Sequence, residues 1–401
     1  MERHIVAQIM QRMELDELVL LTGARQTGKT TAIEQIAGHL QKKGCEVYYL
    51  TLEDPEYLRI LNGHPDNLWQ ILPRKERARI FVLIDEIQYL ENPTNFLKYH
   101  YDLNRQKLKL IVTGSSGFYL DRHFDDSLAG RKKLYTLPTL SFEEFLLFKG
   151  RSELAAKIAA LDATNPDLRA IPLIQRREIL ALSDEYLIYG GYPAVVLAPT
   201  NALKQEILFE LFSSYLKRDF LESGISNATG IYHLLKLLAF QTGSELNKSS
   251  LATELGINRL SLDNMMHVLQ KTFHIALITP YFSGHPKELR KMPKLYFMDL
   301  GLLNTVLRKF GLPAEREDRG RLYENYIFRY FSDTNPNSDI QFWRTQGGNE
   351  VDFIIGGQKA YEVKWNGKHL NPKRFELFRN TYPELDLQFV ARENSEGYLL
   401  L

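Results

Sequence analysis

The segment Leu18–Thr31 constrains the fold of this chain more than any other. It begins with the apolar run LVLL, continues as Gly-x-x-x-x-Gly-Lys-Thr from Gly23 to Thr30, and is followed by helix-forming residues up to Leu40. A strand, such a loop and a helix in this order form a P-loop, whose backbone N–H groups and helix N-terminus bind phosphate oxygens. The pattern therefore predicts an α/β domain with a parallel sheet and a nucleoside triphosphate site.

Within the loop, Gly23 and Gly28 allow backbone angles and close approaches that a Cβ atom would prevent. We expect Lys29 to reach the β- and γ-phosphates and the Thr30 hydroxyl to ligate Mg²⁺. The expected nucleotide-binding residues are Gly23, Ala24, Arg25, Gln26, Thr27, Gly28, Lys29, Thr30 and Thr31. The ligand is ATP or GTP, with ATP favoured, because no guanine-reading motif stands out.

Composition limits the class of protein. A chain of 401 residues exceeds one ordinary core, so two or three domains are expected. The net charge of +1 neither requires nor excludes nucleic acid, and the single cysteine, Cys45, leaves no disulfide framework. No stretch resembles a signal peptide or the roughly 20 apolar residues of a membrane span. These features predict a cytoplasmic protein without a membrane partner.

A second apolar run, Ile80–Ile84, ends in Asp85 and Glu86. Strands buried on both faces of a parallel sheet have this composition, and ligands bind at their carboxyl ends. We expect Asp85 to hold Mg²⁺ through water or together with Thr30, and Glu86 to act as the general base for water. A helix N-cap gives the same two letters, but the P-loop upstream favours the catalytic interpretation.

Two further candidates concern the transferred phosphate. The strand Leu108–Val112 leads to Thr113 and Ser115, which we expect to contact the γ-phosphate or the water from a strand between the P-loop strand and the Asp85 strand. A Gly-Ser turn without a catalytic role is the alternative. Arg131 is a candidate arginine finger, acting in its own subunit or across the interface of a homo-oligomer. An exposed arginine in a structural ion pair is equally compatible with the sequence.

Several segments together resemble one family: GARQTGKT, LIDEIQYL, VTGSS, LAGRKKLYTLPTLSFEEF and YLIYGGYPAVV. They are similar to the AAA-like prokaryotic ATPases that carry a C-terminal domain of unknown function, over nearly the whole chain. The resemblance implies an ASCE-type ATPase core, related to AAA+ and STAND proteins, at residues 1–150. It implies no settled biological role.

The middle of the chain is predicted to be helical. Residues 151–230 are interpreted as a helical connector, and residues 231–310 as three short helices and a hairpin, the order of a winged helix-turn-helix. Its segment Arg259–Gln270 would face a DNA major groove. The hairpin would contact phosphates through Lys287, Arg290, Lys291 and Lys294. Winged helices in such ATPases also serve as lids or protein-binding modules, so DNA and a protein are both candidate partners.

Residues 311–401 resemble a PD-(D/E)XK nuclease core, an α/β fold, in the order helix with Glu324, strand with Asp352, and strand with Glu362 and Lys364. Glu362 and Lys364 share a strand face because side chains alternate.

A three-residue loop at residues 356–358 would place Asp352 opposite Glu362, with Cβ atoms roughly 5 Å apart. Mg²⁺ would then lie between the two carboxylates, Lys364 would stabilise the phosphate, and Glu324 would complete the cluster. A two-residue loop would put Asp352 and Glu362 on opposite faces. Three alternatives stay open, namely nucleic acid cleavage, a nuclease fold without activity, and an edge strand with solvent-exposed charges.

The sequence thus predicts an Mg²⁺-dependent ATPase whose turnover drives a conformational change acting on DNA or a protein. A nucleotide-switched DNA-binding or scaffold protein is the alternative, and a metal-dependent nuclease is the third hypothesis.

Overall fold

This computed structural model describes residues 1–73, 79–114, 128–161, 167–222, 228–282, 292–345, 347–369, 371–393 and 399–400. The chain divides into two compact units, one of residues 1–138 with 271–273 and the other of residues 139–270 with 274–401. Among the described residues, we find no helix with the length and apolarity that crossing a membrane requires.

The first unit contains a five-stranded sheet. Its strands are β1 Leu18–Thr22, β2 Glu46–Thr51, β3 Ile80–Asp85, β4 Leu108–Gly114 and β5 Lys132–Thr136. Its α-helices in the described residues are His4–Met10, Lys29–Lys42, Pro55–Gly63, Leu68–Ile71 and Pro93–Asn104. The strand order is β2-β3-β4-β1-β5, and all neighbouring strands are parallel. This confirms the predicted α/β P-loop fold, with β4 between β3 and β1.

Both faces of this sheet are covered, which explains the continuous apolar runs of its central strands. Leu20 and Val82 belong to the hydrophobic core on one face, and their neighbours in sequence Val19 and Leu83 belong to the core on the other. Because parallel strands end at the same edge, the segments that follow β1, β3 and β4 come together there.

The second unit is mainly helical before its C-terminal sheet. Its α-helices in the described residues are Phe142–Phe148, Ser152–Ala159, Leu173–Tyr189, Pro193–Leu197, Asn201–Glu222, Ala228–Phe240, Lys248–Leu255, Arg259–Lys271, Leu300–Leu307, Arg319–Thr334 and Glu376–Thr381. Its strands are β6 Ile275–Ile278, β7 Lys294–Phe297, β8 Ile340–Arg344, β9 Glu350–Ile355, β10 Lys359–Asn366, β11 Asp386–Glu393 and β12 Leu399–Leu400.

The predicted order of three helices and a two-stranded hairpin is present in this unit. Asn247 caps the helix Lys248–Leu255 by accepting the N–H groups of Ser249 and Ser250, both at 3.1 Å, and Gly256 ends it in the left-handed region with φ 64°. The strands β6 and β7, which follow the helix Arg259–Lys271, pair antiparallel.

The last five strands form a mixed sheet in the order β12-β11-β10-β9-β8. β9 ends at Ile355 and β10 begins at Lys359, so residues 356–358 form the three-residue loop, the first of the two alternatives left open by the sequence. Gly356 and Gly357 adopt φ values of 56° and 64°, which favour glycine.

A buried aspartate explains the glycine at position 190. Asp299 accepts the N–H of Gly191 at 2.9 Å and, at the start of the helix Leu300–Leu307, the N–H of Leu302 at 3.1 Å. A Cβ atom at Gly190 would lie 2.3 Å from the Asp299 carboxylate, and its φ is 72°. Glycine at this turn therefore lets one carboxylate join two segments that are distant in sequence.

Candidate functional site

The P-loop closes around the side chain of Lys29. Its Nζ donates to the carbonyl oxygens of Gly23 at 3.0 Å and Ala24 at 2.8 Å, and the residue is 5% exposed. Gly28 has φ 94° and precedes the first turn of the helix Lys29–Lys42. At Gly23, a Cβ atom would lie 2.2 Å from the Leu137 carbonyl oxygen. Glycine is therefore required at this position for a steric reason, beyond its backbone angles.

A buried arginine outside the predicted motif supports the same loop. Arg3 donates through Nη1 to the Thr27 carbonyl at 2.5 Å and through Nη2 to the Pro138 carbonyl at 2.9 Å. The Thr27 hydroxyl in turn donates to the Ala24 carbonyl at 2.9 Å. No pattern around Arg3 indicates this role in the sequence, because the contact depends on tertiary packing.

The Asp85 carboxylate accepts hydrogen bonds from hydroxyl groups on three elements, at the edge of the sheet where the parallel strands end. The Thr30 hydroxyl donates to Oδ2 at 2.7 Å, the Tyr49 hydroxyl donates to Oδ2 at 3.1 Å, and the Thr113 hydroxyl donates to Oδ1. Burial, followed by the charge of Asp85, raises the pKa of Tyr49, so its hydroxyl stays a donor. Tyr49 was not among the predicted residues, since the sequence does not reveal that β2 neighbours β3.

Glu86 adopts the left-handed backbone conformation with φ 59°, which is uncommon for a residue with a side chain. Its N–H donates to the Thr113 hydroxyl at 3.0 Å, and its carboxylate accepts a hydrogen bond from the Gln88 side-chain amide. Thr113 thus contacts both acidic residues. Ser115, the companion candidate, lies outside the described residues.

The structure places Arg131 away from the P-loop. Its carbonyl accepts the N–H of Leu18 at 2.8 Å, and the next residue, Lys132, pairs with Leu18 at the amino end of β1. The P-loop follows the opposite end of β1, about 13 Å along the strand. The Arg131 side chain instead donates to Asp102 at 3.1 Å.

An arginine finger acting in its own subunit is therefore wrong for Arg131. Strand β5 begins directly after Arg131 and pairs with β1. This pairing fixes Arg131 at the edge of the sheet where β1 begins. The ion pair with Asp102 matches the structural alternative, and a role toward a second copy of the chain stays a prediction.

The first site suits a nucleotide with Mg²⁺. Thr30 and Asp85 offer oxygen atoms 2.7 Å apart, and oxygen ligands are those that Mg²⁺ prefers. Lys29 lies against two neutral carbonyls, which are weaker partners for an ammonium group than phosphate oxygens are.

In the second unit, the structure brings three predicted residues together. Tyr361 pairs with Phe353 across the hairpin, and just beyond this pair Asp352 Oδ2 accepts the Val363 N–H at 2.9 Å, next to Glu362. The Lys364 Nζ contacts the Glu362 carboxylate and lies 3.8 Å from Asp352 Oδ2.

A lysine that was not expected there lies among the acidic residues. Lys294 on β7 has its Nζ 3.3 Å from Glu324 Oε1 and 3.5 Å from Asp352 Oδ1, and it also pairs with Glu350. The Tyr296 hydroxyl donates to Glu324 Oε1 at 2.7 Å. Lys294 is 0% exposed, so its predicted role as a phosphate contact of the hairpin is wrong. Of the other predicted hairpin contacts, Lys287, Arg290 and Lys291 lie outside the described residues.

Burial and charge act against each other in this cluster. Burial alone would lower the pKa of Lys294, but the carboxylates of Glu324, Asp352 and Glu350 raise it well above its ordinary value. Burial raises the pKa values of Glu324 and Glu362, whose ionised forms lose their hydration. Within the described residues, no group of three or more His, Cys, Asp or Glu side chains is arranged to hold a metal ion.

The segment expected to face DNA carries an internal ion pair. Arg259 Nε donates to Asp263 Oδ2 at 3.2 Å, and Lys248 Nζ donates to Asp263 Oδ1 at 2.6 Å. One carboxylate therefore binds both cations.

The strand order, the loop after β1 and the contact between Thr30 and Asp85 define the P-loop NTPase class. Residues 15–146 match the family model described as an AAA domain, so this part of the chain is an AAA-type P-loop domain, as the sequence motifs predicted. Residues 180–312 and 319–399 match models of two domains of unknown function, DUF8612 and DUF4143.

Curated relatives cover most of the chain. An uncharacterized protein of Haemophilus influenzae is 26% identical over 98% of this chain and 91% of its own length. An uncharacterized protein of Methanocaldococcus jannaschii is 26% identical over 90% of this chain and 78% of its own length. An uncharacterized protein of Mycobacterium tuberculosis is 22% identical over 90% of this chain and 73% of its own length.

Solved structures align less closely. The Thermotoga maritima RuvB Holliday junction branch migration motor is 17% identical, with a TM-score of 0.31 over 72% of this chain and 95% of its own. DnaA from Aquifex aeolicus, bound to AMPPCP, is 14% identical, with a TM-score of 0.30 over 66% of this chain and 86% of its own. TM-scores of this size establish no shared overall architecture.

Proposed function

We propose that this protein is an Mg²⁺-dependent ATPase in which water attacks the γ-phosphate in line and turnover drives a conformational change. The observation that carries the proposal is the 2.7 Å contact between Thr30 and Asp85, beside Lys29 at the start of its helix. It brings the end of the P-loop and the end of β3 to one point, where a triphosphate and its cation would meet.

Each residue has a distinct proposed role. Residues 23–31 bind the phosphates through main-chain N–H groups, and Lys29 exchanges its two carbonyl partners for phosphate oxygens. Thr30 and Asp85 would hold Mg²⁺, which when bound supplies positive charge to the phosphates. Glu86 accepts the proton of the attacking water, and Thr113 fixes the backbone of Glu86.

Two substitutions test these roles by phosphate release and nucleotide binding. Lys29→Ala removes the ammonium group and is expected to abolish ATP binding. Glu86→Gln retains the shape but not the basicity, so we expect normal binding with phosphate release reduced by about 100-fold or more. Lys42→Ala, an exposed position in the last turn of the same helix, is the matched control and should leave both unchanged. Steady phosphate release by Glu86→Gln would refute the base assignment.

A nucleotide-switched binding protein is the second candidate, favoured by the contact between Gln88 and Glu86. The Gln88 amide occupies a carboxylate oxygen that would otherwise be open to the attacking water, and ATP would then be held for long periods. On this proposal, wild-type phosphate release is close to zero and Gln88→Ala raises it. Fast phosphate release by the wild type, at a rate that Gln88→Ala leaves unchanged, would favour the ATPase proposal instead.

We propose that the conformational change driven by ATP turnover acts on DNA or on a protein. Phosphate contacts by Lys248 and Arg259 would compete with Asp263, which binds both cations. Adding duplex DNA to the phosphate release assay separates the two partner classes. Salt-sensitive stimulation supports DNA, and unchanged turnover supports a protein partner.

A further inference from the structure

We infer that Lys294, together with Lys364 beside Glu362, supplies the resident positive charge of the C-terminal acidic cluster, defined here as Glu324, Glu350, Asp352 and Glu362, and that this cluster binds no divalent metal. The inference is independent of the ATPase proposal, because it concerns only residues of the second unit.

The environment of Lys294 is that of a bound cation. Its ammonium group contacts three carboxylates, of Glu324, Glu350 and Asp352, and lies 5.4 Å from the centre of the Phe342 ring. An ammonium group over an aromatic face gains further electrostatic attraction. Lys294 itself is fully buried, so its ammonium group depends on these protein partners. Removing the charge would leave three carboxylates facing one another.

The strand that carries Lys294 is anchored at several points. Asn325 binds β7 on both sides of Phe297, accepting its N–H at 2.9 Å and donating to its carbonyl at 2.8 Å. The Tyr296 ring stacks on Phe328 with centroids 4.6 Å apart and 13° between the planes. These contacts hold the strand that carries Lys294 against the helix Arg319–Thr334.

Most of the carboxylate oxygen atoms named for a metal at this cluster already have partners. Asp352 Oδ2 accepts the Val363 N–H, and Glu350 binds Arg344 at 3.0 Å in addition to Lys294. Mg²⁺ demands near-octahedral oxygen ligands at about 2.0–2.1 Å, whereas the ammonium groups of Lys294 and Lys364 already lie against these carboxylates. Glu362 Oε2 is buried with no hydrogen-bond partner, but a single oxygen atom does not make a cation site.

It follows that the Mg²⁺ expected between Asp352 and Glu362 does not fit this arrangement. The Lys294 ammonium group instead links β7 to Glu324 on the helix Arg319–Thr334 and to Asp352 on the sheet. We therefore expect the native chain to show no divalent-metal-dependent cleavage of nucleic acid from this cluster.

The first test uses Mn²⁺ alone as the probe in calorimetric titrations of the full chain. Wild type and Asp352→Asn should give the same binding curve, because any remaining Mn²⁺ site lies elsewhere. Asparagine keeps an acceptor for the Val363 N–H. A Mn²⁺ site present in the wild type and lost in Asp352→Asn would overturn the inference.

The second test removes the resident cation. Lys294→Gln is expected to unfold at a lower temperature, and millimolar Mn²⁺ is expected to raise its Tm by about 5 °C by replacing the lost charge. Wild type, Lys294→Arg and Lys248→Gln should show no such shift. Lys248 is the matched control, a lysine of the same unit that is partly exposed and pairs with Asp263.

A folded Lys294→Gln protein without the Mn²⁺ response would contradict the inference. Should that variant fail to fold, the comparison of wild type with Asp352→Asn decides alone.

Discussion

His100 links the stability of the first unit to pH. The residue is 1% exposed, and its Nε2 lies 2.9 Å from the Pro65 carbonyl oxygen while its Nδ1 lies 3.2 Å from Asn104 Nδ2. Burial lowers the pKa of His100 from 6.5 to about 4. The unfolded chain therefore binds this proton more tightly, and stability is lost as the pH falls from about 6.5 towards 4.

We expect this single histidine to lower the free energy of unfolding by about 2 kcal/mol between pH 7 and pH 5. Urea titrations at the two pH values measure the effect, with His100→Gln as the comparison. The variant should lose about 2 kcal/mol less than the wild type does over the same interval. Equal losses in both proteins would show that His100 is not buried in its neutral form.

Among the site residues, those that belong to a local motif could be predicted. Thr30 and Asp85 follow from the P-loop and from an apolar strand ending in an acid, and the structure places their side chains in contact. Tyr49 and Arg3 could not be predicted, because their contacts depend on the order of the strands and on the return of the chain near Pro138.

At the scale of elements, the P-loop depends on its close approach to the segment after β5. Gly23→Ala would place a Cβ atom 2.2 Å from the Leu137 carbonyl oxygen, which is backbone and cannot rotate away. We expect this substitution to lower the Tm and to weaken ATP binding, both by displacing the loop. Differential scanning fluorimetry with and without nucleotide measures both effects.

Gly38→Ala is the matched control for that experiment. Gly38 lies within the helix Lys29–Lys42, and nothing lies within 4 Å of an added Cβ atom. Alanine is the better helix former, so we expect a gain of about 0.5–1 kcal/mol with unchanged ATP binding. Equal behaviour of the two variants would refute the steric argument for Gly23.

Strand prediction succeeded where burial on both faces required a continuous apolar run, as in β1, β3 and β4. It missed β5, whose residues Lys132–Thr136 are mostly exposed at the edge of the sheet. That omission produced the wrong location for Arg131. The C-terminal register was left open by the sequence, because a two-residue loop would have moved Asp352 to the other face, and the structure has the three-residue loop.

At the scale of the whole molecule, the chain contains two acidic sites with different expected cations. In the first unit, the Asp85 carboxylate accepts hydrogen bonds from the hydroxyl groups of Thr30, Tyr49 and Thr113. In the second unit, Asp352 lies beside Lys294. The sequence alone could not distinguish these cases, because Lys294 meets the cluster only when β7 packs against the helix Arg319–Thr334.

The central claim is that the first unit binds a nucleoside triphosphate through its P-loop, and calorimetric titration of the full chain with ATP and Mg²⁺ tests it most directly. Wild type is expected to release or absorb binding heat, and ATP at 100 times its Kd should stabilise the fold by about 2.7 kcal/mol. Lys29→Ala should show neither effect. Absence of both heat and thermal protection in the wild type, with ATP and with GTP, would contradict the account.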